Sequence, residues 1–344
     1  MKQILPIFLG VLLLLAGCSP KDQVLTIMTH DSFSISEAVV AEFESENRVQ
    51  LVFLASGDSG SALNKAILSK NAPLADVLFG VDNTFLSRAL EEDIFEVYES
   101  PLLDQVPDNL ELDPGYRVVP VDYGDVCINY DINWFRDHDL AVPTTLDDLI
   151  KPEYRGLLVV ENPATSSPGL AFLLATIYTF GEDGFENYWS ALRENEVVLA
   201  DGWETAYYTY FSGSSGRGPQ PMVVSYASSP AAEVIYSDPP VSEAQTASIV
   251  SPGTCYRQIE FAGILAGTRM RTMAERFIDY MLGKNFQEDI PLQMFMYPVN
   301  QAAEWPTEFI QWTQVVNSPA ILDPSLVAAH REAWIAAWTE TVIR

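Results

Sequence analysis

The segment Val24–Ser32 reads VLTIMTHDS, an extended apolar run that ends in a polar loop, and this pattern indicates a first β-strand. A helical pattern follows, and two further apolar strands are predicted at 49–54 and 76–80. Strands that alternate with helices predict a parallel sheet with helices on its faces. Ligands bind such sheets at the carboxyl ends of the strands. The loops at these ends each carry an aspartate, namely Asp31, Asp58 and Asp82.

The same pattern recurs further along the chain and predicts a second α/β unit. An extended pair at 118–123 and 126–130 is interpreted as a crossing between the units, and a strand at 259–266 returns to the first. We therefore expect an α/β fold of two lobes, each a mostly parallel sheet flanked by helices, with a hinge between them. Lobe 1 is predicted to comprise residues 24–120 and 258–344, and lobe 2 residues 121–257.

Other elements of the second unit and the tail are predicted from hydrophobic pattern and Gly/Pro punctuation. They are strands at 157–160, 197–199 and 222–225, helices beginning at 146 and covering 168–180, 203–211 and 324–342, an amphipathic segment at 273–282 and a surface loop at 212–219.

The first residues indicate export. Lys2 precedes an apolar run from Ile4 to Ala16, which ends in Leu15-Ala16-Gly17-Cys18. The run is shorter than the roughly 20 residues that cross a bilayer, so residues 1–17 are predicted to be a signal peptide. Cys18 is then the lipidation site, and 18–23 form a tether to the outer side of a bacterial membrane, in the periplasm or at the cell surface. The alternative is an ordinary signal peptide with an incidental cysteine.

The amino-acid composition limits which binding partners are expected. The net charge of −28, from 47 acidic and 19 basic residues, argues against nucleic acid, whose phosphates require clustered Lys and Arg. It favours, weakly, a cationic ligand. The three histidines show no metal-ligand spacing, so neither a metal site nor a cofactor is expected. Cys127 and Cys255 are compatible with a disulfide in an exported protein or with two buried thiols.

The tetrapeptide Gly57-Asp58-Ser59-Gly60 occurs around the nucleophile of chymotrypsin-like proteases, but only His30 precedes it here. A nucleophilic serine needs a histidine base and an orienting acid within reach. The strand–loop–helix context also differs from a double β-barrel. We therefore interpret this stretch as a loop whose backbone and Asp58 face a ligand, and we expect no enzyme activity.

Two hydroxyl-rich stretches precede predicted helices, Thr165–Gly169 and Ser225–Pro230. Hydroxyls and proline at these positions cap a helix, and free N–H groups at such a start also bind anions. Between them lies Gly202-Trp203-Glu204, where a tryptophan in a glycine-bounded turn can present its face to a flat or cationic ring. Together with Tyr226, Trp203 is predicted to form an aromatic wall.

With these motifs in place, the chain resembles periplasmic thiamine-binding proteins, the solute-binding components of thiamine ABC transporters. The resemblance covers almost the whole mature chain. It rests on Thr29-His30-Asp31-Ser32-Phe33, 78–83, Pro120-Val121-Asp122-Tyr123-Gly124, 162–170, 202–207, 225–230, Met296-Tyr297-Pro298-Val299 and 330–335. One departure is Phe295, where the family has a tryptophan before Met-Tyr-Pro.

The resemblance implies a monomeric two-lobed protein that closes over thiamine or its phosphate esters and passes it to a permease with its ATPase. Trp203 and Tyr226 would pack on the aromatic rings, Asp58 would supply negative charge, and the serine loops would hold the hydroxyethyl or phosphate end. The implied ligand-binding residues are Asp58, Ser59, Ser166, Ser167, Trp203, Tyr226, Ala227, Ser228 and Ser229.

Two other interpretations remain open at this point. Tyr207-Tyr208 supplies the consecutive tyrosines used by ferric-ion binders, a related solute-binding class that also includes receptors for other small ions. An exported enzyme is the alternative from a different class of protein.

Overall fold

The computed structural model describes residues 23–215 and 217–344. The predicted signal peptide, the lipidation site Cys18 and most of the tether lie outside these residues. No helix in the described part of the chain is long and apolar enough to cross a membrane.

A mixed sheet forms the centre of the molecule. Its ten strands in the described residues are β1 (Gln23–Thr29), β2 (Val49–Ala55), β3 (Val77–Asp82), β4 (Val119–Asp131), β5 (Leu158–Glu161), β6 (Val198–Ala200), β7 (Met222–Tyr226), β8 (Thr246–Ile249), β9 (Tyr256–Ile264) and β10 (Tyr297–Pro298).

Helices lie between most of these strands. They are α1 (Glu37–Asn47), α2 (Ser59–Leu68), α3 (Leu86–Glu91), α4 (Ile132–Asp137), α5 (Ser167–Phe180), α6 (Phe185–Glu194), α7 (Ser229–Ile235), α8 (Arg271–Leu282), α9 (Lys284–Gln293), α10 (Thr307–Trp312) and α11 (Pro324–Val342). A π-helical stretch covers Thr205–Tyr210, within the predicted 203–211 helix. Short 3₁₀ turns lie at 103–105, 108–110, 146–150 and 152–154.

The strand order is β2-β1-β3-β9-β4-β7-β5-β6, with β8 and β10 also paired to β4. Strands β2, β1 and β3 are mutually parallel and form what we call the first half of the sheet, and the parallel set β7, β5 and β6 forms the second half. The antiparallel strands β4 and β9 join the two halves. The α/β class with two parallel units is as predicted, but the units share one continuous sheet.

The extended pair predicted at 118–123 and 126–130 is one strand, β4. Its middle residues stay in the ladder because Tyr123, Gly124 and Asp125 pair with Ile259, Gln258 and Arg257 of β9. The predicted lobe boundaries, 120/121 and 257/258, lie inside these two strands.

Helix α5 lies at the centre of the second half. Its sequence SPGLAFLLATIYTF is apolar all round, as expected for a helix that is buried on every side. Pro168 stands in its first turn, and Gly181 ends it with φ +73°. The helix packs against β4, β5, β7 and β9, so its first turn is held at the carboxyl end of β5.

The C-terminal helix α11 contacts both halves of the molecule. Trp338 packs edge-on against Trp189 of α6 at 5.6 Å between ring centroids, and Arg193 of α6 donates to the Thr341 carbonyl at 2.8 Å. On the other side, Arg331 lies over the ring of Phe85, just before α3.

Cys127 and Cys255 form a disulfide. Cys127 lies on β4 and Cys255 directly precedes β9, so the bond joins the two strands that connect the halves. Of the two alternatives left open by the sequence, the structure therefore shows the bridge.

Candidate functional site

A cleft of about 510 Å³ opens at the carboxyl ends of the parallel strands in both halves. The loop after β1 contributes His30–Ser34, the loop after β2 contributes Asp58 and Ser59, and Trp203 and Tyr226 come from the second half. The position agrees with the rule that open α/β sheets bind ligands beyond the carboxyl ends of their strands. Its volume is that of a site for one small molecule.

Asp58 connects the two halves across the cleft. Its Oδ1 accepts from the Ser59 amide at 2.8 Å and caps α2, as expected for aspartate at a helix start. Its Oδ2 accepts from the Trp203 backbone amide at 3.0 Å. Burial raises the pKa of Asp58, and the hydrogen bonds from Trp203, Ser166 and Ser59 oppose that rise. One carboxylate thus closes a helix end and holds the turn that carries Trp203.

Trp203 and its neighbours form an aromatic wall. Its indole stacks on Tyr207 at 5.0 Å with 20° between the ring planes, and lies edge-on to Tyr226 at 6.4 Å. The indole Nε1 donates to Ser225 Oγ at 2.9 Å, which fixes the ring. The Tyr226 hydroxyl donates to Gln258 on β9 at 3.1 Å. An aromatic wall whose Trp203 and Tyr226 side chains are both fixed by hydrogen bonds suits packing against a flat, cationic ring.

The predicted serine contacts divide into two groups. Ser59 and Ser229 line the cleft, and Ser229 Oγ also lies 2.9 Å from Ser225 Oγ. The other serines, Ser166, Ser167 and Ser228, do not line the cleft and are fully or almost fully buried, as is the predicted contact Ala227. Ser167 donates to Asp82 at the end of β3, a second contact between the halves. All nine residues stay predictions for ligand contact.

The cleft is acidic. Five carboxylates line it, and among the described residues no lysine or arginine does: Asp31, Asp58, Glu204, Glu233 and Glu260. His30 is the basic group on this surface. Desolvation raises the pKa of both Glu204 and Glu233, and the charges of Asp31 and Asp58 raise that of Glu204 further. Such a surface favours a positively charged solute.

Sequence reasoning missed several cleft residues. Tyr207 and Tyr208, considered there only as iron ligands, belong to the aromatic wall. Glu260 lies between Ile259 and Phe261 in a buried strand, and a charged residue inside an apolar strand is a signal that could have identified it. Glu233 and Phe295 carried no comparable local signal. No cluster of three or more His, Cys, Asp or Glu suited to a metal ion occurs within the described chain.

A small-molecule cleft between two parallel-strand sets, with an aromatic wall and acidic lining, defines a solute-binding protein of the periplasmic-binding-protein fold. The chain belongs to the bacterial extracellular solute-binding proteins, whose family model matches residues 72–312.

Two relatives match the chain in sequence over nearly their whole length. The thiamine-binding periplasmic protein of Salmonella typhimurium (strain LT2) is 30% identical, over 98% of this chain and 99% of its own. The protein of the same name from Escherichia coli (strain K12) is 30% identical over 93% and 94%. Among solved structures, a periplasmic thiamin binding protein superposes with a TM-score of 0.81 at 28% identity, over 93% of this chain and 96% of that one.

Proposed function

We propose that the protein captures thiamine, or its phosphate esters, in this cleft and delivers it to the permease and ATPase of an ABC transporter. The observation that carries the proposal is the pairing of the aromatic wall with a carboxylate-lined cleft. Thiamine is an aromatic pyrimidine joined to a permanently cationic thiazolium ring, so its two parts match the two features of the surface. The full-length relatives named for thiamine binding support the same ligand.

Each predicted contact has a physical role in this proposal. Trp203 and Tyr226 pack on the rings, where a desolvated cation–π contact contributes about 2 kcal/mol. Asp58 supplies negative charge. Ser59 and Ser229 hold the hydroxyethyl or phosphate end, while Ser166, Ser167, Ala227 and Ser228 shape the helix starts behind them.

The proposal includes closure of two lobes. Residues 24–120 and 258–344 would move as one lobe and 121–257 as the other, with β4 and β9 flexing between them, as in hinge closure around ligands. The contacts of Asp58 with Trp203 and of Ser167 with Asp82 join the halves only while the cleft is narrow. They therefore supply differential stabilisation of the closed state, which any ligand-driven closure requires.

Binding is tested with ligand-stripped protein. Titration calorimetry should give saturable binding of thiamine at micromolar concentration, and thiochrome, a flat oxidation product without the permanent charge, should bind at least tenfold more weakly. At 100 times Kd a ligand stabilises the native state by about 2.7 kcal/mol, which should raise Tm by about 4 °C for a chain of this length. The absence of both heat and Tm shift with thiamine would overturn the proposal.

We also propose that the protein acts as an exported monomer tethered through lipidated Cys18. The sequence pattern Leu15-Ala16-Gly17-Cys18 supports this placement. In cells, Cys18→Ala should move the protein from the membrane fraction to the soluble exported fraction, with thiamine affinity unchanged. Retention of the variant in the membrane fraction would contradict lipid anchoring.

A further inference from the structure

Three carboxyl groups lie side by side in the middle of the sheet. Asp82 of β3 and Asp122 of β4 are both directly opposite Glu260 of the intervening strand β9. All three are buried, with exposures of 0%, 0% and 4%. Directly opposed residues on neighbouring strands point to the same face, and like charges in that arrangement destabilise a sheet. The three groups therefore do not all carry a negative charge.

Asp122 is the member of this row for which burial most strongly favours the protonated form. Burial, followed by the charge of Glu260, raises the pKa of Asp122 well above its ordinary value, and neither carboxylate oxygen has a hydrogen-bond partner among the described residues. Burial also raises the pKa of Asp82 to about 6. Asp82 is further bonded to Ser167 and accepts from the Thr84 amide at 2.6 Å. Glu260, between them, is the member of the row with a basic neighbour, because His30 Nε2 lies beside its carboxylate.

Glu260 is also the one of the three that lines the cleft. Gln258 Nε2 donates to its Oε1 at 3.2 Å, and His30 Nε2 lies 3.5 Å from the same oxygen. The Glu260 carboxylate in the cleft lining therefore has an imidazole of the same lining as its neighbour.

The His30 ring is held in this position. Its Nδ1 lies 3.0 Å from Ser32 Oγ. Gly80 leaves room for the ring, because a Cβ there would meet His30 Cδ2 at 2.3 Å. Burial lowers the pKa of His30, but the carboxylates of Glu260, Asp58 and Asp31 outweigh that effect and raise it above the ordinary value. The geometry therefore pairs His30 with Glu260, and the surrounding carboxylates favour the protonated form of the imidazole.

We propose that His30 and Glu260 form a proton-exchange site, in which a cationic ligand replaces the His30 proton as the counter-ion of Glu260. The ligand brings one positive charge to the carboxylate, and the imidazolium releases one proton to solvent, so the net charge of the site is unchanged. Glu260 is then a specificity residue for a cationic solute. The choice of thiamine as the probe rests on the proposed function.

The exchange makes affinity depend on pH. The groups that face His30 are Asp31 on its own loop, Asp58 after β2, Glu260 on β9 and Glu204 after β6. A bound cation lowers the pKa of His30, so binding releases a proton at any pH between the bound and free values. Affinity for the cation rises with pH across that window, by up to about tenfold per unit, and levels off above it.

PIPES and ACES are buffers that differ in ionisation enthalpy. Calorimetry of thiamine binding in both buffers therefore measures the number of protons released on binding. Between pH 6 and 8 we expect release of a fraction of a proton that falls as pH rises. His30→Gln should abolish the release and bind several-fold tighter than the wild type at pH 6, since no proton competes. Glu260→Gln should also abolish the release but bind at least tenfold more weakly at pH 8.

The chain provides matched controls. His138 and His330 lie outside the cleft, so His138→Gln and His330→Gln should keep the wild-type proton release. Glu161 is a fully buried carboxyl that does not line the cleft, so Glu161→Gln should keep the wild-type affinity.

Wild-type binding without proton release, or release that persists in His30→Gln, overturns the proton-exchange site. The wild-type measurement decides this even if Glu260→Gln does not fold. A wild type that gives no heat with thiamine at any pH overturns the proposed function instead, and the exchange with it.

Discussion

Replacement of Asp58 by asparagine separates two roles of one side chain. The Oδ1 atom caps α2, and the Oδ2 atom accepts from the Trp203 amide in the other half of the molecule. Asparagine caps a helix as well as aspartate does, so the cap survives. Its amide nitrogen is a donor and cannot accept from Trp203, so the contact between the halves is lost together with the negative charge.

The expected effect falls on binding and little on stability. A hydrogen bond to a charged acceptor is worth about 1.5–3 kcal/mol, and if it forms only in the closed state its loss lowers affinity by roughly 10- to 150-fold. With about 2.1 cal/mol/K of unfolding entropy per residue, 1 kcal/mol corresponds to about 1.4 °C for a chain of this length. We expect the Tm of unliganded Asp58→Asn within about 2 °C of wild type, whereas Asp58→Ala, which also loses the cap, should fall further.

Titration calorimetry with thiamine measures the affinity of each variant, and thermal unfolding without thiamine measures its Tm. Asp323→Asn is the matched control, because Asp323 caps α11 through Ser325 at 2.8 Å and is remote from the cleft. An affinity of Asp58→Asn within threefold of the wild type would refute the reasoning.

Three further predictions concern the aromatic wall around Trp203, the Cys127–Cys255 disulfide and the row of buried carboxyl groups. Trp203→Ala should weaken thiamine binding at least tenfold. Trp203→Phe, which loses the hydrogen bond to Ser225 but keeps an aromatic ring, should weaken it by about fivefold. Equal affinities of the two variants would contradict a binding role for the aromatic wall. The double variant Cys127→Ala/Cys255→Ala opens a loop of 128 residues and should lower the free energy of unfolding by about 4–5 kcal/mol. Guanidinium titration measures this change, and an unchanged midpoint concentration would contradict the prediction. The folded pKa of Asp82 is raised to about 6, so its stabilising contribution is largely present at pH 4 and is lost as pH rises to 7. The free energy of unfolding of wild type should therefore fall by about 2.4 kcal/mol over that range relative to Asp82→Asn, and parallel pH profiles of the two proteins would disprove this.

Local signals were sufficient for much of the fold. Helix α11 spans 324–342 as predicted, because Asp323 and Pro324 start it unambiguously. Helix α5 was evident from its apolar sequence and its terminal Gly181. The positions of the cleft loops followed from the order of strands and helices, which places Asp31 and Asp58 at the same edge of the sheet.

The continuity of β4 was not evident from sequence, because glycine and aspartate are disfavoured in strands. Gly124 stays in the ladder for a tertiary reason. A Cβ at that position would lie 3.0 Å from Met296 and Tyr226, so glycine fits beneath these side chains without displacing them. Pairing with β9 then outweighs the local preference.

The carboxyl row could not be predicted for a related reason. Asp82, Asp122 and Glu260 are far apart in the chain and meet only through the register of three strands. A shift of one residue in either pairing would turn the side chains to opposite faces. Single-sequence patterns do not contain that register.

The position of the C-terminal helix α11 determines where a rotation of the two halves could be detected. Because α11 contacts α6 in one half and the start of α3 in the other, a rotation of the halves must be taken up at one of these two contacts. Arg331 and Phe85 both belong to the proposed lobe of residues 24–120 and 258–344, so their contact should be kept and displacement should occur at the Trp338–Trp189 packing against α6. A fluorophore attached at the exposed residue Glu340, on the same helix as Trp338, would then convert solute capture into an optical signal at a distance from the cleft, and the tail of the chain becomes the natural place to build a sensor.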